Sequence, residues 1–265
     1  MLYRQIFKLG FKKSYEYKVN FYMGLVSTVF PLTIQYFLWS GLFENADGGM
    51  VFGYTFMQMV SYAVFAVLTT KMISPSFVYE INMEIKEGGL AKYLVRPLSY
   101  FKYHFMGYLG EKIGIILCAS ILIIGFWAGA GWFAGGELSV SRLLLYFASL
   151  NLGLILNFTI FYGISSMGFW MIDASGAIFI TTLIGTIVSG GIFPLDIFSQ
   201  GIQNALHLLP FPYTSYFSVS ILCGTIGKEG IAAGLGLQLF WIAICGLLSK
   251  TLWKIGMKRY IAVGG

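Results

Sequence analysis

Few residues in this chain could carry chemistry, and their spacing excludes most of the familiar kinds. There are two histidines, His104 and His207, and no HExxH, so a paired-histidine metal site has no basis. The three cysteines, Cys118, Cys223 and Cys245, form no CxxC, which leaves neither a zinc site nor a disulfide framework. No GxSxG occurs, and Ser189-Gly190-Gly191 has no histidine nearby to serve as base, so it reads as small-residue packing. Gly227-Lys228 is followed by Glu229 and lacks the leading glycine of a P-loop. If the chain works with ATP, another chain supplies the nucleotide site. Asp196 with His207 is the one outward acid–base candidate, and a membrane-embedded lipid-modifying enzyme would depend on it.

The most informative stretch is polar: residues 84–99, Glu-Ile-Lys-Glu-Gly-Gly-Leu-Ala-Lys-Tyr-Leu-Val-Arg-Pro-Leu-Ser. It carries both signs of charge. A helix is expected from Phe77 to Glu87, with Glu80, Glu84 and Glu87 on one face. Gly88-Gly89 stops it, Leu90 to Val95 can make further turns, and Arg96 before Pro97 is biased away from helix. The reading is a cytoplasmic segment that takes force from a partner that burns fuel.

The rest of the chain is built for a bilayer. It is 57% hydrophobic and 11% charged, against about 25% charged in soluble domains. A net charge of +6 without a basic groove pattern points to membrane topology and away from nucleic acid. Uncharged runs long enough to cross place six helices at residues 19–42, 53–70, 113–133, 143–164, 177–193 and 231–248. With six crossings, all of the 17 basic residues except Arg142 and Lys228 fall on the side of the termini, which makes both termini cytoplasmic. Arg4, Lys8 and Lys12 share a face of an amphipathic helix over residues 1–18, lying in the headgroup layer. The uncharged run 197–227 contains Pro210 and Pro212 mid-run and is expected to form short interfacial or re-entrant helices. The expectation is one all-α membrane domain over residues 1–265, with an interfacial helix at 1–18, a cytoplasmic loop at 74–111 and an extracytoplasmic segment at 194–229. Gly125-x-x-x-Gly129 and Gly131-x-x-x-Gly135 could bring helices together. Polar residues at depth are few. Gln35, Gln58, Asn151, Asn157, Thr181, Thr182 and Thr186 read as interhelical hydrogen bonding or as a weakly polar lining, in which Gln35, Gln58, Thr181, Thr182, Thr186 and Ser189 would face a path for an amphiphile.

Three stretches, in this order and spacing, resemble the ABC-2 type permease family, the membrane subunits of ATP-binding-cassette exporters. They are residues 84–99, Ser189-Gly-Gly-Ile-Phe-Pro-Leu195 with Leu208-Leu-Pro-Phe-Pro-Tyr213, and the tail around Arg259-Tyr260 and Gly264-Gly265. The tail and the Phe169-Trp170-x-x-Asp173 turn look closest to the branch with paired permeases. The resemblance implies that Glu84, Glu87, Gly88, Gly89, Tyr93, Arg96 and Pro97 lie in the segment that contacts the ATPase, and that Trp170 and Asp173 form a second contact. It implies that Phe193, Pro194, Pro210, Pro212 and Tyr213 belong to an extracytoplasmic cap. It further implies two ATPase subunits carrying ATP and Mg, a second permease, identical or homologous, and a multi-pass location in the plasma membrane, the cell membrane of a bacterium. The substrate class it suggests is hydrophobic or amphiphilic. A channel or scaffold without ATP coupling is the further alternative to the lipid enzyme.

Overall fold

The computed structural model describes residues 2–16, 23–24, 26–44, 49–95, 97–134, 139–171 and 173–260. It is all-α and 81% helical. Helix α1 is Leu2–Glu16 and α2 is Val29–Glu44. A two-residue hairpin follows, β1 Met50–Val51 paired antiparallel with β2 Tyr54–Thr55. Then come α3 Phe56–Ile73, α4 Phe77–Lys86, α5 Ala91–Leu94, α6 Tyr100–Ala134 and α7 Val140–Ser165. After a 3₁₀ turn at Ser166–Phe169 come α8 Ser175–Val188, α9 Gln200–His207, α10 Tyr216–Cys223 and α11 Lys228–Met257.

Among the described residues, four helical segments are long and apolar enough to cross a bilayer: Phe56–Lys86, Tyr100–Gly129, Val140–Phe169 and Lys228–Met257. Helix α8 is apolar but has 14 residues, and α2 has 16. The first expected crossing begins in residues 17–22, which lie outside the described residues, as do Gly135 and Gly264-Gly265. Helix α6 starts at Tyr100, well before the crossing expected at 113, so the second half of the loop 74–111 is a helical extension of a membrane helix. The hairpin was not expected. It sets up Thr55 as N-cap of α3 in a capping box, in which Gln58 N–H donates to Thr55 Oγ1 and Thr55 N–H to Gln58 Oε1.

Helix α7 is the hub, packing on α3, α4, α10 and α11. Its seams are closed by small residues and by polar side chains aimed at backbone carbonyls. Ser249 Oγ donates to Thr159 O at 2.6 Å and Trp253 Nε1 to Tyr162 O at 2.9 Å, which lock α11 to α7. Gln238 Nε2 donates to Ser149 O at 3.1 Å and to Tyr213 O at 2.8 Å, while Ser149 Oγ lies 2.7 Å from Ser218 Oγ. With few alternatives for a polar group in hydrocarbon, such contacts act as glue. Helix α1 crosses α6 closely enough that a Cβ on Gly10 or Gly110 would run into the facing backbone at Gly107 or Phe7. Gly125 and Gly129 face open space.

The segment after α8 folds along α7. Thr214 carbonyl lies over Gly153, Ser218 meets Ser149, and Gly224, at φ +79°, sits against Arg142. Rising numbers on α10 therefore meet falling numbers on α7, and α10 runs alongside the N-terminal half of a long apolar helix.

Replacing Gln238 by Leu removes the side-chain donor to the buried carbonyls of Ser149 and Tyr213 and is expected to cost about 1–3 kcal/mol. Asn151→Leu, whose amide donates only to Phe147 O of its own helix, should stay within about 0.5 kcal/mol of wild type. Thermal unfolding of both variants in one detergent checks the difference.

Candidate functional site

The polar stretch 84–99 is folded around Glu84. Its side chain is 11% exposed and accepts from four groups on two elements. Tyr93 OH donates to Oε1 at 2.8 Å, where Lys92 Nζ also sits at 3.0 Å. Tyr100 OH donates to Oε2 at 2.6 Å, and His104 Nε2 lies 3.2 Å from the same oxygen. Glu84 follows the apolar part of its segment, in the charged helix α4. Burial would raise its pKa, but hydrogen bonds from His104, Tyr100, Lys92 and Tyr93 outweigh it and hold the carboxyl at about 2. The carboxylate thus ties α5 and the start of α6 back to α4.

Gly88 lets the chain turn there. It has φ +77°, in the left-handed region, just past the end of α4. Leu90 N–H then donates to Glu84 O at 2.9 Å, with Gly89 packed on the Glu84 backbone. Tyr260 OH donates to Gly88 O at 2.9 Å, which brings the C-terminal tail to the same turn.

The other end of α4 is held as firmly. Pro75 has no N–H to offer Lys71 O, and Ser74 Oγ takes that carbonyl at 3.1 Å. Ile73 O, freed by the break between α3 and α4, accepts from Asn157 Nδ2 of α7 at 2.5 Å and Tyr108 OH of α6 at 2.8 Å. Lys112 Nζ donates to Ser74 Oγ at 2.7 Å.

Of the residues expected at the partner contact, Asp173 is joined to the end of α4, and the other described ones divide between the interior and the surface. Lys86 Nζ lies 3.6 Å from Asp173 Oδ2, joining the end of α4 to the turn after α7. The Asp173 carboxyl is held below its usual range by the N–H and hydroxyl of Ser175 and then by Lys86. Phe169 packs edge-on to Trp253 and Tyr260 in the same region. Glu84 and Tyr93 point into the fold, whereas Glu87, Pro97 and Trp170 are exposed. Leu94 and Val95 stand out beside them, Val95 at 84% exposure. The exposed pair was missed because an apolar doublet in a polar loop reads as a helix turn. Tyr100 and His104 were missed because they lie beyond the stretch that drew attention. Arg96 lies outside the described residues.

The polar residues at depth divide differently. Gln35 and Thr186 share a cavity of about 430 Å³ between α2, α3 and α8. Gln58 caps α3, and Thr181, Thr182, Thr186 and Ser189 donate to the carbonyls of Ala177, Ile178, Thr182 and Thr186 on their own helix. Phe193 meets Trp39 edge-on, and Pro194 precedes the 3₁₀ turn Leu195–Ile197. Pro210 and Pro212 shape the turn Phe211–Tyr213 between α9 and α10, where Tyr213 OH donates to His207 O. Asp196 accepts from Tyr54 OH at 2.6 Å and Tyr216 OH at 2.5 Å, and no hydrogen bond joins it to His207 among the described residues. The geometry an outward acid–base pair needs is not assembled.

The sequence model of one protein family, described as ABC-2 family transporter protein, matches residues 29–264. No curated protein and no solved structure matches the chain. The chain belongs to the ABC-2 transporter family, as a multi-pass membrane component. Membership implies an ABC transporter with an ATPase partner.

Glu84→Ala leaves two tyrosines, a histidine and a lysine without their acceptor, and is expected to lower stability by about 1–3 kcal/mol. Because the folded pKa of Glu84 lies below its ordinary 4.5, the stability it supplies is present above pH 4.5 and fades as pH falls toward 2. Denaturation of wild type and variant should therefore differ at pH 7 and converge in acid.

Proposed function

We propose that this ABC-2 family member is the membrane-spanning permease subunit of an ATP-driven exporter in the plasma membrane of a bacterial cell. In this reading six helices cross, α2, α3, α6, α7, α8 and α11, with both termini in the cytoplasm. The side on which nearly all the basic residues fall supports that topology. The observation that carries the proposal is the assembly of three cytoplasmic segments into one face. The turn at Gly88, the Trp170–Asp173 turn and Tyr260 are tied together by Lys86–Asp173 and by the Tyr260–Gly88 bond. Glu87, Leu94, Val95 and Trp170 stand exposed around it. An exposed mixture of apolar and charged side chains fits a protein partner.

Two ATPase subunits, holding ATP and Mg, dock on this face of two paired permeases, identical or homologous. Their closure moves α4, and the bundle alternates between inward and outward access to carry a hydrophobic or amphiphilic substrate out. Within the docking segment, Glu84, Gly88, Gly89 and Tyr93 build the loop. Glu87, Arg96, Pro97, Trp170 and Asp173 meet the partner. Gln35, Thr186 and the neighbouring Gln58, Thr181, Thr182 and Ser189 belong to the path side of the bundle. Phe193, Pro194, Pro210, Pro212 and Tyr213 form the cap, with α9 and α10 dipping in from the outer surface.

Purification of the tagged chain from its native membranes in mild detergent should bring down a P-loop ATPase and a permease of similar size. Recovery of the chain alone across several detergents would contradict the reading. Reversing the outward charge with Glu87→Lys should abolish transport in the reconstituted complex and leave membrane insertion and ATP hydrolysis in place. Transport at the wild-type rate would argue against a contact there.

A further inference from the structure

The cavity between α2, α3 and α8 has a polar end and an apolar end. Ser27, Lys71 and Ser74 line it where α2 begins and α3 ends, and Ile34, Leu38 and Phe193 line it further along. Lys71 makes no ion pair among the described residues. Its ammonium lies beside Gly24, and Lys112 adds a second cation next to Ser74. Between the two ends sits Gln35, 5% exposed, whose Oε1 has no hydrogen-bond partner among the described residues. A buried amide oxygen without a donor is costly, and because Gln35 lines the cavity, rotation of its amide toward that space would let a ligand donor satisfy it.

We propose that this cavity binds an anionic amphiphile, its acidic headgroup on Lys71, a hydroxyl or N–H of its linker on Gln35 Oε1, and its chain along Leu38 and Phe193. This rests on the reading of the chain as a transporter subunit and names the substrate class of its path. The charge selects the headgroup. A neutral molecule leaves the lysine unpaired in a low-dielectric wall, and a zwitterion brings its own cation to it. The apolar half selects against a free inorganic anion, which has nothing to place there. The polar end lies at the cytoplasmic surface in the proposed topology, where a lipid-like molecule enters with its head at the interface.

The test uses the full chain in nanodiscs and three photoreactive probes of equal acyl length: lysophosphatidate, lysophosphatidylcholine and monoacylglycerol. Lysophosphatidate is expected to label residues of α2, α3 or α8 and to bind about tenfold more tightly than the other two, the size of one charge-assisted contact. Lys71→Gln should remove that preference, Lys71→Arg should keep it, and Gln35→Leu should weaken lysophosphatidate with Lys71 intact. Inorganic phosphate should not displace the probe. Equal affinity for the three probes, labelling elsewhere, or an unchanged preference in Lys71→Gln would overturn the proposal. Binding is read without the ATPase, so selective labelling in a chain that recovers no ATPase would leave this site standing while the exporter reading fell. Loss of selectivity in a chain that does recover one would do the reverse.

Discussion

The carbonyl of Ile73 is the point on which the α4 end of the molecule depends. A proline two residues later breaks the helix that would otherwise run from α3 into α4. A broken helix in a membrane protein leaves carbonyls that must be satisfied by neighbours. Here the neighbours are Tyr108 of α6 and Asn157 of α7, and Ser74 with Lys112 completes the brace. The break is therefore cross-linked to two of the long helices. At its far end α4 is held by the Glu84 carboxylate, which collects donors from α5 and α6. A helix clamped at both ends passes displacement on. With one end loose it would bend and absorb it.

The same device recurs away from α4. Gln238 bridges α11, α7 and the turn before α10, and Asp196 gathers Tyr54 and Tyr216 from two separate elements. In each case a side chain of one element reaches a backbone or hydroxyl group of another, where apolar contact alone gives little preference for one arrangement over another. These polar side chains serve as joints of the frame. The cavity is where that rule lapses, with Lys71 unpaired among the described residues and Gln35 Oε1 unbonded.

Much of this was legible in the sequence, for reasons that can be named. Charge spacing and composition identify a membrane protein because the cost of burying charge is large. The stop at Gly88-Gly89 was legible because only glycine takes φ +77° without strain. The role of Asn157 as an interhelical donor followed from its depth in an apolar run. Which of Glu80, Glu84 and Glu87 turns inward was not legible. They share a helical face, and the choice is made by Tyr93, Tyr100 and His104, whose approach depends on the turn at Gly88. That α6 begins at Tyr100, ahead of the crossing expected from residue 113, was not legible because the charges that end an uncharged run, Glu111 and Lys112, do not stop a helix. The capping role of Gln58 was not legible because its partner, Thr55, belongs to a hairpin that the sequence does not announce.

Braced at both ends, α4 is expected to move as one body with the bundle. Double electron–electron resonance tests this directly, with spin labels at Tyr79 on α4 and Lys250 on α11, both exposed, in a background without the three native cysteines and in complex with the ATPase. Between nucleotide-free and ATP-trapped states, the distance within one chain should change by no more than about 2 Å, the scale of helix adjustments within a packed unit. The distance between Tyr79 labels of the two paired permeases should shift clearly. A large change within the chain, with the inter-permease distance fixed, would mean that α4 hinges at Ser74–Pro75 and that the brace at Ile73 does not hold.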